Sequence, residues 1–183
     1  MSTLMVRAFV ACELSQEMKQ QLAAAQAELK KCTARLTFVD PALIHITVKF
    51  LGEVNEKKIH QIIGALESIR VQPFPARGGR ITVNNPSRPH TVWCAIEDAG
   101  KSHDVFSAVE TALVPLGFPR ETRGFKPHAT LARVKEADSS LFKSLDILKS
   151  TTCGSCLISG LKLKKSTLTP KGPVYEDICG VLW

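Results

Sequence analysis

The sequence predicts an α+β fold of two similar lobes related by an approximate two-fold axis, with mainly antiparallel sheets, helices outside and a central cleft. Three observations predict it. His45-Ile46-Thr47-Val48 and His128-Ala129-Thr130-Leu131 are the same phrase (histidine, any residue, threonine, aliphatic), set 83 residues apart. The flanking elements return in the same order: the helix starts at Ser15 and Ser102 are 87 residues apart, and those at Asn55 and Asp138 are 83 apart. Equal spacing of several element types marks an internal repeat. Finally, no Gly-rich turn leads from a strand into a helix, since Gly78-Gly79 precedes a strand. That argues against a parallel doubly wound sheet, the other arrangement alternating helices and strands allow.

Along the chain, Val6 to Cys12 has β-like composition, and Ser15 is an N-cap for a helix running to about Lys31. Met18, Leu22, Ala25 and Leu29 then form one apolar stripe. The first histidine strand covers about Ile44 to Leu51 and stops at Gly52. Asn55 caps a helix whose Ile59, Ile62, Ile63 and Leu66 share a face, and Arg80 to Asn84 is a strand closed by the turn at Asn85-Pro86-Ser87-Arg88-Pro89.

The second half repeats this order. Thr91 to Glu97 is a strand, and the helix from Ser102 turns Val105, Phe106, Val109 and Leu113 inward before breaking near Pro115 and Gly117. The second histidine strand spans roughly Ala129 to Val134, and Asp138 caps a short helix carrying Leu141, Phe142, Leu145 and Leu148. Leu157 to Lys162 and Val174 to Leu182 close the chain as strands, with Pro170-Lys171-Gly172-Pro173 turning between Leu168 and Val174. Residues 1–183 are expected to form a single domain of two intertwined lobes.

Composition narrows the function classes. An apolar fraction of 44% and a charged fraction of 22% are those of a globular protein. The net charge of +7 favours a polyanionic partner, nucleic acid first, although the basic residues are dispersed apart from Lys162, Lys164 and Lys165. No apolar run reaches membrane-spanning length, and Met1 to Leu14 lacks the basic leader and cleavage site of a signal peptide. Six cysteines without an export signal are expected to be free thiols in the cytoplasm. Cys153-Gly154-Ser155-Cys156 runs into a strand rather than opening a helix and has no second ligand pair, so neither a redox nor a zinc role is assigned to it.

The repeated motif carries the chemistry. In a strand, residues i and i+2 share a face, so each copy presents a histidine and a threonine together. Cleaving a phosphodiester requires a base for the attacking oxygen and an acid for the departing one. Histidine serves both roles near neutral pH. Thr47 and Thr130 would donate hydrogen bonds to the non-bridging oxygens. One His-x-Thr tripeptide would mean little, because a lone strand histidine is usually a hydrogen-bonded structural residue. Two copies at matching places in a repeat point instead to one shared site.

The cations nearby are less determined. Ideal alternation puts Lys49 on the face of His45, and puts Arg133 on the face opposite His128 unless a bulge or the strand end swings it in. Arg123 and Lys126 precede the second motif in a loop within reach of phosphate. His60, His90 and His103 are structural or surface residues, with His90 nearest the cleft. Trp93, Phe125 and Tyr175 either stack on a base or pack in the core.

His45-Ile-Thr-Val-Lys-Phe-Leu-Gly-Glu53 and Phe125-Lys-Pro-His-Ala-Thr-Leu-Ala-Arg133 resemble the paired signatures of the two-histidine phosphoesterase superfamily, and within it the RNA 2′,3′-cyclic phosphodiesterases, also called 2′-5′ RNA ligases (LigT/ThpR-like). The resemblance extends to Thr91-Val-Trp93 and Ser166-Thr-Leu-Thr-Pro-Lys-Gly-Pro-Val-Tyr175, and so covers nearly the whole chain. It implies a bilobal fold in which His45 is the general acid at the O3′ leaving group and His128 the base that activates water. Thr47 and Thr130 would hold the phosphate, Arg133 would bind it, and a 2′,3′-cyclic phosphate would open to a 2′-phosphate. No metal and no other cofactor is implied. The expected partner is RNA or a nucleotide with a 2′,3′-cyclic phosphate end, met by a monomer without a membrane. Two alternatives stand beside hydrolysis: ligation of the cyclic end to a 5′-hydroxyl, and a binding module whose histidines only contact phosphate.

Overall fold

The computed structural model describes residues 5–170 and 172–183, so Met1 to Leu4 and Lys171 of the expected turn lie outside the described residues. In chain order the elements are β1 (Met5–Glu13), α1 (Gln16–Leu29), β2 (Arg35–Phe38), β3 (His45–Asn55), α2 (Glu56–Glu67), β4 (Phe74–Val83) and β5 (Thr91–Glu97). They continue with α3 (Lys101–Leu113), β6 (His128–Glu136), α4 (Ser139–Ile147), β7 (Ser155–Ile158), β8 (Gly160–Thr169) and β9 (Gly172–Leu182). The three expected caps are present: Ser15, Asn55 and Asp138 accept hydrogen bonds from the N–H groups of Met18, Lys57 and Ser140. The third helix instead begins at Lys101, because the carboxylate of Asp98 reaches the N–H groups of Gly100 and Ser102 and ties off that end earlier.

The nine strands form one antiparallel sheet, in the order β7-β4-β5-β6-β3-β1-β8-β9 with β2 added against β6. The two expected lobes are therefore the two halves of a continuous sheet. They meet where the histidine strands β3 and β6 pair through Ile46 and Ala129. Outward from that junction, β5 and β1 occupy equivalent places, then β4 and β8. Each repeat sends its last strand into the opposite half, since β4 follows α2 but lies beside β5, and β8 follows α4 but lies beside β1. The lobes are intertwined by this exchange.

Two expectations are corrected here. Leu157 to Lys162 is not one strand: β7 pairs with β4 at one sheet edge, and β8 leaves for β1 across the molecule. Gly160 sits at that crossing, where a Cβ would stand 2.2 Å from the carbonyl oxygen of Val181. Apolar content cannot reveal such a crossing, because both segments are sheet. β4 also begins earlier than Arg80, with Phe74 and Ala76 buried ahead of the two glycines. Gly78 is required there, since a Cβ would come within 2.3 Å of the Cys153 side chain.

Helix stripes match their faces. Met18, Leu22, Ala25 and Leu29 of α1 are buried, as are Ile59, Ile62 and Leu66 of α2, Val105, Val109 and Leu113 of α3, and Leu141 and Leu145 of α4. Phe142 faces outward. These side chains join Ile46, Val48, Ala129 and Leu131 from the histidine strands in one apolar cluster. No helix among the described residues is long and apolar enough to cross a membrane.

Both histidine strands carry a bulge at the same motif position. Against β1, Thr47 pairs with Ala11 and Lys49 with Val10, leaving Val48 extra. Against β5, Thr130 pairs with Trp93 and Ala132 with Val92, leaving Leu131 extra. Two consecutive residues then face the core, and the side chain that follows them changes face. This overturns the expectation for Lys49, which is buried and ion-paired to Glu110 of α3 instead of facing the cleft. Its ammonium also donates to the Pro119 carbonyl at 2.8 Å, and the second oxygen of Glu110 accepts from the Glu121 N–H at 3.0 Å. The pair thus anchors the loop that leads to His128. Replacing Lys49 by Met should destabilise the protein by about 3–5 kcal/mol, because Glu110 is left charged and buried, whereas the double change Lys49→Met with Glu110→Leu should recover most of that loss. Urea unfolding of the three proteins measures it. A single variant as stable as the parent would contradict it.

Candidate active site

Continuing the Ile46–Ala129 register by one residue each way sets His45 opposite Thr130 and Thr47 opposite His128. Alternation turns all four side chains to the face opposite Ile46 and Ala129, which are fully buried. The imidazoles are held alike. His45 Nδ1 lies 2.7 Å from the carbonyl oxygen of Leu43, two residues back, and His128 Nδ1 lies 2.6 Å from that of Lys126, also two residues back. Carbonyls only accept, so each Nδ1 carries its proton and each Nε2 is left to exchange one. The Thr47 hydroxyl lies 3.0 Å from His45 Nε2 and donates to it while that imidazole is neutral.

Aromatic rings back both histidines. Phe9 of β1 stacks on His45 at a centroid distance of 5.1 Å, and Tyr175 of β9 meets the same imidazole edge-on at 5.6 Å. Trp93 of β5 lies 4.2 Å from His128. Burial is accordingly the main influence on both: it pushes each imidazole below its ordinary 6.5. The charged neighbours differ. Glu13 favours the protonated form of His45, opposed by Lys164 and Lys19, which are themselves paired with Glu13 at 2.5 and 2.9 Å. His128 faces Arg133 and, among the described residues, no carboxylate, so its neutral form is favoured further.

The bulge also settles the face of Arg133. It follows the two inward residues Leu131 and Ala132 and emerges on the side of His128 and Thr130, where its guanidinium donates to the Thr91 hydroxyl at 2.9 Å. No carboxylate pairs with it among the described residues. A cavity of about 840 Å³, within the range of ligand sites, is lined by His45, Thr47, Thr130 and Arg133 together with Arg7 and Tyr175. His128 is not among its lining residues, so the open volume lies towards the His45 half.

The remaining candidates separate clearly. Trp93 and Tyr175 belong to the site, whereas Phe125 stacks on Phe106 of α3 at 4.6 Å. Arg123 pairs with Glu121, and Lys126 contributes its backbone carbonyl to His128; neither side chain lines the cavity. His90, the loop histidine placed nearest the cleft, does not line it either. His60 is exposed on α2, and His103 packs edge-on against Phe125 at 5.3 Å. Cys153 and Cys156 are free thiols, and among the described residues no three His, Cys, Asp or Glu side chains gather as a metal-binding group. Phe9, Arg7, Glu13 and Thr91 were not singled out from sequence. Thr91 and Phe9 correspond in the two repeats through their register partners, Arg133 and Phe50.

Comparison with known proteins places this geometry. The family model described as LigT like Phosphoesterase matches residues 13–94 and 99–175. A protein of Archaeoglobus fulgidus named RNA 2′,3′-cyclic phosphodiesterase is 32% identical over 174 residues, covering 94% of this chain and 98% of its own. One of Methanothermobacter thermautotrophicus with the same name is 33% identical over 179 residues, covering 94% and 96%. Among solved structures, a protein of Thermus thermophilus superposes with a TM-score of 0.78 at 25% identity, covering 96% of this chain and 97% of that one. Escherichia coli LigT complexed with 3′-AMP superposes at 0.79 with 20% identity over 98% of both chains, which shows the shared fold. Two His-x-Thr strands meeting at the centre of one exchanged sheet, and a family match spanning both repeats, make this chain a member of the LigT-like phosphoesterase family.

Proposed function

We propose that the protein hydrolyses RNA 2′,3′-cyclic phosphate ends to 2′-phosphates by two-histidine acid/base catalysis. The observation that carries this is the pair of imidazoles, each fixed through Nδ1 by a carbonyl two residues back and each free to exchange a proton at Nε2. Named relatives at about this function, 32% and 33% identical, support the substrate class.

In the reaction, His128 Nε2 takes a proton from water as the water oxygen bonds to phosphorus. The P–O3′ bond breaks, and His45 Nε2–H delivers its proton to O3′, leaving the phosphate on O2′. The charged neighbours support that assignment: Arg133 beside His128 favours a neutral base, and Glu13, opposed by Lys164 and Lys19, favours a protonated His45. Once His45 carries both protons, Thr47 no longer donates to its Nε2 and its hydroxyl turns to the substrate. Thr47 and Thr130 then hold the non-bridging oxygens while Arg133 balances the charge that gathers on them. Metal and cofactor have no step in this scheme.

The histidine and threonine of each motif lie on one chain, so a monomer holds a complete site. Six free cysteines suit a cytoplasmic setting. The reverse direction, attack by an RNA 5′-hydroxyl in place of water, uses the same acid and base. Product analysis at low substrate concentration separates the two: hydrolysis should give a 2′-phosphate, and predominant 2′-5′ joining would overturn the choice.

His45→Ala and His128→Ala should each lower kcat about 10²–10⁴-fold on a 2′,3′-cyclic substrate with far smaller changes in binding. Normal turnover in both variants would refute acid/base catalysis and leave a binding module. Burial lowers both imidazoles, so the bell-shaped profile of kcat/KM should peak on the acid side of 6.5, falling at lower pH as His128 takes up its proton and at higher pH as His45 loses its own. A maximum above neutrality would contradict this.

A further inference from the structure

The two repeats differ most informatively at one position. The residue that emerges on the cleft side after the bulge is Arg133 in the second repeat and Phe50 in the first. Their register partners differ to match: Thr91 accepts from Arg133, and Phe9 packs near Phe50 at a centroid distance of 6.1 Å. A row of rings therefore leaves the catalytic centre, from His45 to Phe9 at 5.1 Å and on to Phe50. Phe9 is buried, whereas Phe50 is 70% exposed. Phe50 thus ends the row with most of its ring open.

Phe50 and Gly52 line the main cavity and also a second one, of about 330 Å³, so the two adjoin. The second cavity lies between the end of β3 and the loop at 118–122, which the Lys49–Glu110 pair pins from below. Arg120 lines it and has only a long contact to the Thr111 hydroxyl, at 3.5 Å. The one carboxylate lining it, Glu121, is engaged by Arg123 at 3.3 Å. An exposed aromatic face beside an arginine with no carboxylate partner among the described residues is the pairing that takes a nucleobase and its phosphate in single-stranded nucleic acid.

Resting on the phosphodiesterase reading, we propose that this second cavity is a subsite for the nucleotide on the 5′ side of the cyclic-phosphate end. Its base stacks on Phe50 and the phosphodiester linking it to the terminal nucleotide pairs with Arg120. The protein thereby prefers a cyclic phosphate borne on an RNA strand over a cyclic mononucleotide. Occupants of other kinds, a small apolar molecule or a protein segment, would not depend on Arg120 and on strand length together.

The test compares kcat/KM for a 2′,3′-cyclic mononucleotide and for a trinucleotide ending in the same cyclic phosphate. The ratio of trinucleotide to mononucleotide should fall about tenfold in Phe50→Ala and recover in Phe50→Trp. Arg120→Ala should lower the same ratio and reduce the salt dependence of trinucleotide KM by roughly one phosphate contact. An unchanged ratio in both variants, or equal losses on both substrates, would overturn the subsite. Binding of a fluorescent trinucleotide ending in a 2′-phosphate is read in parallel by anisotropy. Should the parent protein turn over neither substrate, the catalytic reading fails, and the anisotropy data still decide the subsite: weaker binding in both variants supports it, and equal binding refutes it.

Discussion

The antiparallel meeting of β3 and β6 at Ile46 and Ala129 is the contact on which the rest of the site depends. It lies at the centre of the sheet and sets each histidine across from the threonine of the other motif. Only one residue pair joins the two strands, so they diverge on either side of it and a cleft can open between the halves. The exchange of β4 and β8 secures the contact from outside, because neither half can move without tearing a strand from the other. A pair of histidines divided between two repeats is thereby held by a shared sheet.

The bulge that follows each His-x-Thr motif divides the labour of the next residues. An unbulged strand would place Lys49 in the cleft and Arg133 away from it. One extra residue reverses both, sending Lys49 into the interior to anchor the loop before His128 and bringing Arg133 to the cleft side. The burial of a lysine is tolerated because its ammonium meets both the Glu110 carboxylate and a carbonyl oxygen. The same deformation thus builds a support in one repeat and a cationic contact in the other.

Symmetry of backbone and asymmetry of side chains together suit the chemistry. Both imidazoles are oriented through a carbonyl two residues back and backed by an aromatic ring, so both are desolvated and readily deprotonated. Their charged neighbours differ: Arg133 lies beside His128, whereas Glu13 lies near His45 together with Lys164 and Lys19. The open volume lies on the His45 side, lined there by Phe9, Tyr175 and the exposed Phe50.

Much of this was legible from residues alone. His-x-Thr twice at a constant offset implied the repeat, three helix caps were readable as Ser15, Asn55 and Asp138, and the apolar stripes of α1, α2 and α3 identified the buried faces. Local patterns suffice there because period, capping and turn chemistry act within a few residues of chain. The single sheet, the crossing at Ser159 between β7 and β8, and the short β2 were not legible, since strand pairing is a choice among distant partners of similar composition. The histidines and threonines of the site were determined by sequence. The faces of Lys49 and Arg133, and the recruitment of Phe9 and Thr91, were decided only by tertiary structure, because a bulge exists solely in the register between a strand and its neighbour.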